Sequence, residues 1–235
     1  MAEHPTIRRR TKVRRAAHDF ALSHWLALML AFEVTVLFGL VPFLIGGRRS
    51  LLGLAFALLF MLGLGVMVKN AWIGRVLALL ALVLVPIQLW WGFMPGPTSE
   101  LLHPISIILL VTILSGVLAM IVFGGGEIDL DRVLGAVILY LNIGIVFASA
   151  YALIEQVAPG AFQIPGPEPE RPITSFYFLY FSFVSLTTVG FGDTVPIHPL
   201  ARSLTTLEAT IGQLYPAIIL ARLVSLEVGR HTPRS

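Results

Sequence analysis

The chain has 235 residues, 57% of them hydrophobic and only 12% charged, with a formal net charge of +3. Soluble domains carry about 25% charged residues, so composition excludes an ordinary water-soluble domain and implies a helical membrane protein with several spans. It has no cysteine, which excludes disulfides and thiolate metal sites.

The apolar runs do not alternate with period two, which argues against an outer-membrane barrel. The basic balance does not mark a nucleic-acid surface. Six of the 16 cations are Arg8, Arg9, Arg10, Lys12, Arg14 and Arg15, all ahead of the first apolar run. That run, Phe20 to Ile45, is too long for a signal-peptide core and lacks a small-residue cleavage site. The cluster is therefore expected to stay cytoplasmic and to attract anionic lipid head groups weakly.

In chain order, residues 1–19 form the basic N-terminus and Phe20 to Ile45 the first span. Gly46 to Ser50 turns the chain into a second span, Leu51 to Val68, and Lys69-Asn70 into a third, Ala71 to Phe93. Trp72 and Trp90-Trp91 sit near opposite ends of the third, as interfacial aromatic belts do. Met94 to Ser99 reads as a loop, and Leu101 to Phe123 as the fourth span. Residues 124–132 make a cytoplasmic linker, and Val133 to Ile154 the fifth span. The proline-rich stretch 155–174 suits an extended outer loop. With the N-terminus inside, twelve cations fall on the inner side and four (Arg48, Arg49, Arg171, Arg202) on the outer. The positive-inside rule therefore supports six spans with both termini in the cytoplasm.

The segment Phe176 to Leu186 is too short to cross a bilayer, which takes about 20 helical residues. Thr174 or Ser175 can cap its start. A half-helix entering from outside and returning as irregular backbone makes a re-entrant loop, tolerated only where protein buries it or it lines an aqueous cavity. The half-helix runs into Thr187-Thr188-Val189-Gly190-Phe191-Gly192-Asp193, and a full span from Leu200 to Val228 comes after it. Carbonyls of a regular strand point alternately to opposite sides. Turning them all one way needs positive φ at alternate residues, which Gly190 and Gly192 permit. Val189 and Phe191 can then pack against the half-helix while Thr188 adds a hydroxyl oxygen. A hard cation needs more oxygens than one strand supplies, so the segment asks for four copies about an axis, a homotetramer. The half-helix would aim its partially negative C-terminus at that axis.

Thr188 to Asp193 resembles the selectivity filter of potassium channels, and the likeness extends over about Phe176 to Val228. It implies an all-α integral membrane protein of six transmembrane helices with a re-entrant pore helix (175–187) and a filter (188–193). Residues 20–123 would form a voltage-sensor-like domain, 133–228 the pore domain with its inner helix at 200–228, and 229–235 a cytoplasmic tail. Thr188, Val189, Gly190 and Phe191 would coordinate K⁺, with Thr187, Gly192, Asp193, Tyr180, Phe181 and Val184 in support. Tyr180-Phe181 resembles the family's pore-helix aromatic pair. Gly212 falls where a hinge glycine often stands, and Gln213, Pro216 and Leu220 would face the cavity. Phe191 replaces the usual Tyr and loses a bracing hydroxyl. Val184 stands where some relatives carry a Glu that pairs with the filter Asp, so Asp193 needs another partner or faces solvent.

Voltage sensing depends on an arginine-studded fourth helix, because one charge crossing 100 mV supplies only about 2.3 kcal/mol. Leu101 to Phe123 holds no Arg or Lys, so voltage dependence is expected to be weak at most. Glu33 is an intramembrane carboxylate that either acts functionally or meets Gln88 or Asn142. Glu208 is assigned a structural contact behind the pore, and Arg222 snorkels or meets Glu227. Gly53, Gly63 and Gly65 suit close helix packing. Glu155, Glu168 and Glu170 either concentrate cations outside or are simply solvated.

The histidines (4, 18, 24, 103, 198, 231) are scattered, with no nucleophile–base or metal pattern, so an enzyme is not expected. No cofactor is expected beyond K⁺ as permeant ion, no soluble domain for a known ligand, and no partners beyond membrane lipids and copies of the chain. The alternatives are a poorly selective monovalent cation channel and a non-conducting membrane subunit.

Overall fold

The computed structural model describes residues 26–40, 96–123, 130–164 and 175–231, with the single positions 79, 83 and 86. The basic N-terminus, most of the second and third expected spans and the outer-loop residues 165–174 lie outside them. Helix α1 is Leu26–Leu37, passing into a π-helical turn at Thr35–Leu40. There the Thr35 hydroxyl donates back to the Ala31 carbonyl at 2.7 Å.

Helix α2 is Pro97–Phe123. Its first three residues were expected in the loop. Proline is favoured at the first helical position, where its missing N–H would have no partner anyway, so Pro97 starts the helix rather than delaying it. Helix α3 is Leu130–Val157, three residues longer at each end than the apolar stretch 133–154. The added residues bring Asp131, Arg132, Glu155 and Gln156, whose polarity masks the helix ends in the apolar pattern. Helix α4 is Ser175–Leu186. Its 12 residues reach about 18 Å at 1.5 Å per residue, short of the roughly 30 Å hydrocarbon core. Helix α5 is Pro199–His231, unbroken through Gly212 and Pro216. Two short strands pair antiparallel, β1 (Phe162–Gln163) with β2 (Val195–Pro196).

Among the described residues, three helices are long and apolar enough to cross a membrane: Leu101–Met120, Arg132–Val157 and Pro199–Arg222. Three packing centres join the described helices, the third of them made by Leu37, Ile107, Val111, Leu141 and Ile145. In the first, Leu110, Leu114, Leu118 and Val122, spaced four apart on one stripe of α2, meet Leu26 and Met29 of α1 and Ile138 and Leu139 of α3. The second gathers α3, α4 and the start of α5 around Tyr151, with Phe162, Phe178, Phe181 and Ala201. Tyr151 meets Phe181 edge-on at 5.1 Å, and Phe162 meets Phe178 at 5.1 Å. Such pairs contribute about 0.5–1.5 kcal/mol each beyond their buried area. This aromatic knot fixes α4 against α3.

Helix α5 differs from the others. Only 11% of its spanning window is buried in the chain, against 61% for α3. Leu207, Leu214, Ile218, Leu220 and Val224 are all more than half exposed.

Candidate functional site

The site hangs from the last turn of α4. A helix leaves its final carbonyls without intrahelical donors, and here the loop after it supplies them. The Thr187 N–H and hydroxyl both donate to the Phe183 carbonyl, at 3.0 and 2.6 Å. Thr188 N–H donates to Ser185 O at 2.9 Å. Val189 and Gly190 N–H both donate to Val184 O, at 3.0 and 3.3 Å. Four consecutive N–H groups are thereby turned towards α4. No hydrogen bond among the described residues ends on the carbonyls of Thr188, Val189, Gly190 or Phe191.

The backbone alternates as well. Positive φ occurs at Thr188 (+57°), Gly190 (+60°) and Gly192 (+75°). The glycines reach this region at little cost. Thr188 does not: a left-handed threonine costs about 1–2 kcal/mol, so its surroundings must hold it. One such contact is Gln213 of α5, whose amide donates to the Thr188 hydroxyl at 2.6 Å. Glycine spacing signalled two of the three positive-φ positions; nothing in the sequence signals Thr188.

Tyr180 braces the outer half. Its ring lies parallel to Phe191 with centroids 6.4 Å apart, and its hydroxyl donates to Asp193 Oδ2 at 2.8 Å. The partner that Asp193 needed, with Val184 in place of an acid, is therefore a phenol one element back. Asp193 Oδ1 also takes the Thr194 N–H at 2.8 Å. Phe191 and Val189 nevertheless remain 68% and 54% exposed in the single chain, so α4 of the same chain covers neither fully.

Phe181 points into the aromatic knot instead of towards the loop. Gly212 is buried at the crossing of α5 with the end of α4, while Pro216 and Leu220 are exposed along α5. After the loop, Ile197 and His198 N–H both donate to Ala161 O, at 2.8 and 3.1 Å, beside the β1–β2 pair. Glu155 accepts from Gly160 and Phe162 N–H at 2.8 and 3.1 Å, so this acid shapes the turn after α3. Glu168 and Glu170 lie outside the described residues.

Arg222 reaches α2, and the side chain of Glu227 lies outside the described residues. The Arg222 guanidinium donates to the Phe123 carbonyl at 2.9 Å and lies 5.1 Å from that residue's ring centre. The last carbonyls of α2 form a partially negative helix end, which attracts a cation. Glu33 and Asn142 are both buried, and among the described residues none of their side-chain oxygens or nitrogens has a hydrogen-bond partner. The bond between them does not form, and Gln88 is outside the described residues.

Comparison with known proteins agrees with this geometry. Residues 135–228 match the family model described as "Ion channel". A stretch of 84 residues is 38% identical to the inward rectifier potassium channel Kirbac3.1 of Paramagnetospirillum magnetotacticum. That stretch covers 34% of this chain and 24% of the relative, so the chain spans about a quarter of the relative's length. No solved structure matches the chain.

Proposed function

We propose that this chain, whose residues 135–228 match an ion-channel family model and which resembles a potassium channel over 84 residues, is one subunit of a homotetrameric potassium channel that passes K⁺ down its gradient. One observation carries the proposal. Positive φ alternates at 188, 190 and 192 while the N–H groups of 187 to 190 are occupied by the end of α4. Backbone of that kind can turn successive carbonyls to one side. A carbonyl removed from water needs a partner, and a dehydrated K⁺ supplies one.

In the tetramer, carbonyls of Thr188, Val189, Gly190 and Phe191, with the Thr188 hydroxyl, would replace the ion's water shell. Two further features favour assembly. Residues 187–194 are irregular and largely exposed in the single chain, and such backbone cannot face lipid at membrane depth. The exposed apolar residues of α5 would pack against its copies. Helix α4 ends at Leu186, next to the filter, where its roughly −0.5 charge favours a cation. Gly212, Pro216 and Leu220 would form the inner gate, and the first helices a scaffold, with both termini in the cytoplasm.

The test is flux into liposomes loaded with K⁺ or Na⁺. Wild type should pass K⁺ well ahead of Na⁺, and Gly190→Ala should pass neither, because alanine disfavours φ near +60° by about 1–2 kcal/mol in each copy. Equal flux from the mutant, or none from wild type, contradicts the assignment.

A further inference from the structure

Behind the filter, Glu208 of α5 is fully buried. Its Oε2 accepts from the Tyr151 hydroxyl at 2.6 Å, and its Oε1 lies 2.5 Å from Ser182 Oγ. Ser182 Oγ in turn lies 2.7 Å from the carbonyl oxygen of Gly144. Three helices meet in this relay: α3 through Tyr151 and Gly144, α4 through Ser182, and α5 through Glu208. The titratable side chains that act on Glu208 are Tyr151 and, more remotely, Tyr140, both from α3. Within the described residues no cation pairs with it.

Counting protons settles how the relay is filled. A serine hydroxyl has one proton, and a backbone carbonyl can only accept. If Glu208 were ionised, Ser182 would give its proton either to the carboxylate or to Gly144. The other contact would then be two oxygens facing at hydrogen-bonding distance with nothing between them. If Glu208 carries a proton, every contact closes. Glu208 donates to Ser182, Ser182 donates to Gly144, and Tyr151 donates to the remaining carboxyl oxygen. A short O–H···O contact is the geometry expected of such a donor.

We propose that Glu208 is held as a neutral carboxylic acid and serves as the positioning residue of the filter. It fastens α4 to α3 and α5 at Ser182. The next three carbonyls, those of Phe183, Val184 and Ser185, are the ones from which the filter loop hangs. A shift of Ser182 therefore moves the anchors of Thr187 to Gly190. The protonation state stands by itself, whereas the effect on conduction rests on the channel proposal above.

The two parts are tested separately on the full chain in lipid vesicles. In the infrared spectrum at neutral pH, Glu208→Gln should remove an unionised carboxylic C=O band, and Ser182→Ala should shift it by taking away its acceptor. Loss of a carboxylate band instead, with no carboxylic band missing, overturns the neutral acid. In K⁺ and Na⁺ flux, glutamine can still donate to Ser182 and accept from Tyr151. Glu208→Gln should therefore keep the K⁺-over-Na⁺ ratio within about twofold, while Glu208→Leu and Ser182→Ala should lower it on the order of tenfold. Ratios unchanged in both latter variants overturn the positioning role. A wild type that passes no K⁺ counts against the channel proposal, and the infrared result still decides the state of Glu208.

Discussion

A Cβ built on Gly212 would lie 1.8 Å from the carbonyl oxygen of Leu186. Backbone meets backbone here, where α5 crosses the last residue of α4, so neither side can yield by changing a rotamer. The glycine that resemblance assigns to a hinge thus has a second reason to be glycine. Gly212→Ala is expected to push α5 away from the filter base, to abolish most conduction and to destabilise the assembly by about 1–3 kcal/mol or more. Gly116→Ala is the control, because a Cβ there meets nothing within 4 Å. Thermal unfolding of the two purified variants should separate them clearly; equal midpoints would contradict the crossing.

The Tyr180–Asp193 bond gives a second prediction. Tyr180→Phe keeps the ring parallel to Phe191 and deletes the 2.8 Å hydrogen bond. The channel should still open and select K⁺. Its open periods should shorten about fivefold, matching the net value of one hydrogen bond at about 1 kcal/mol. Asp193→Asn, which retains an acceptor, should have a smaller effect. Single-channel recording in bilayers checks both.

The half-helix and its loop were legible because their signals are local. A run of about 12 apolar residues is too short to span, and two glycines one residue apart permit one unusual backbone. The contacts that hold the loop were not legible. Tyr180 and Asp193 are 13 residues apart, and Glu208 takes its partners from positions 26 and 57 residues away. Such pairings exist only once α3, α4 and α5 have packed. Arg222 shows the same limit: the fold brings the carbonyl of Phe123, 99 residues back, to its guanidinium. Hydropathy likewise located α2, including its end at Phe123, and α3, but not the proline start of α2 or the polar ends of α3, which carry no apolar signal.

That Arg222 contact leads to a third prediction. It ties the end of α2 to the inner half of α5, with a hydrogen bond to the Phe123 carbonyl and a cation–π contact with the Phe123 ring. Arg222→Ala should change the open–closed balance by about 1–3 kcal/mol, the range of a charge-assisted hydrogen bond with a weak cation–π contact. Arg222→Lys should recover part of it, because lysine keeps the charge but not the planar stacking. Open probability in bilayers of fixed composition is the readout, and no change in either variant would remove α2 from the gate.

Helix α2 contains no Arg or Lys, so a fourth expectation concerns voltage. Each charge moved through 100 mV contributes only about 2.3 kcal/mol, and α2 has no basic charge to move. Conductance should vary shallowly between about −100 and +100 mV, a range in which an arginine-bearing sensor switches fully (roughly three to four charges per subunit). A steep sigmoidal conductance–voltage curve would overturn this.

The most direct test of the central claim is the reversal potential of purified full-length protein in a planar bilayer, with KCl on one side and NaCl on the other. If the carbonyls of Thr188 to Phe191 form a potassium filter, current should reverse far from zero, at the sign set by the K⁺ gradient. Gly190→Ala should carry no such current. Reversal near zero voltage, with Na⁺ passing as readily as K⁺, would contradict the assignment.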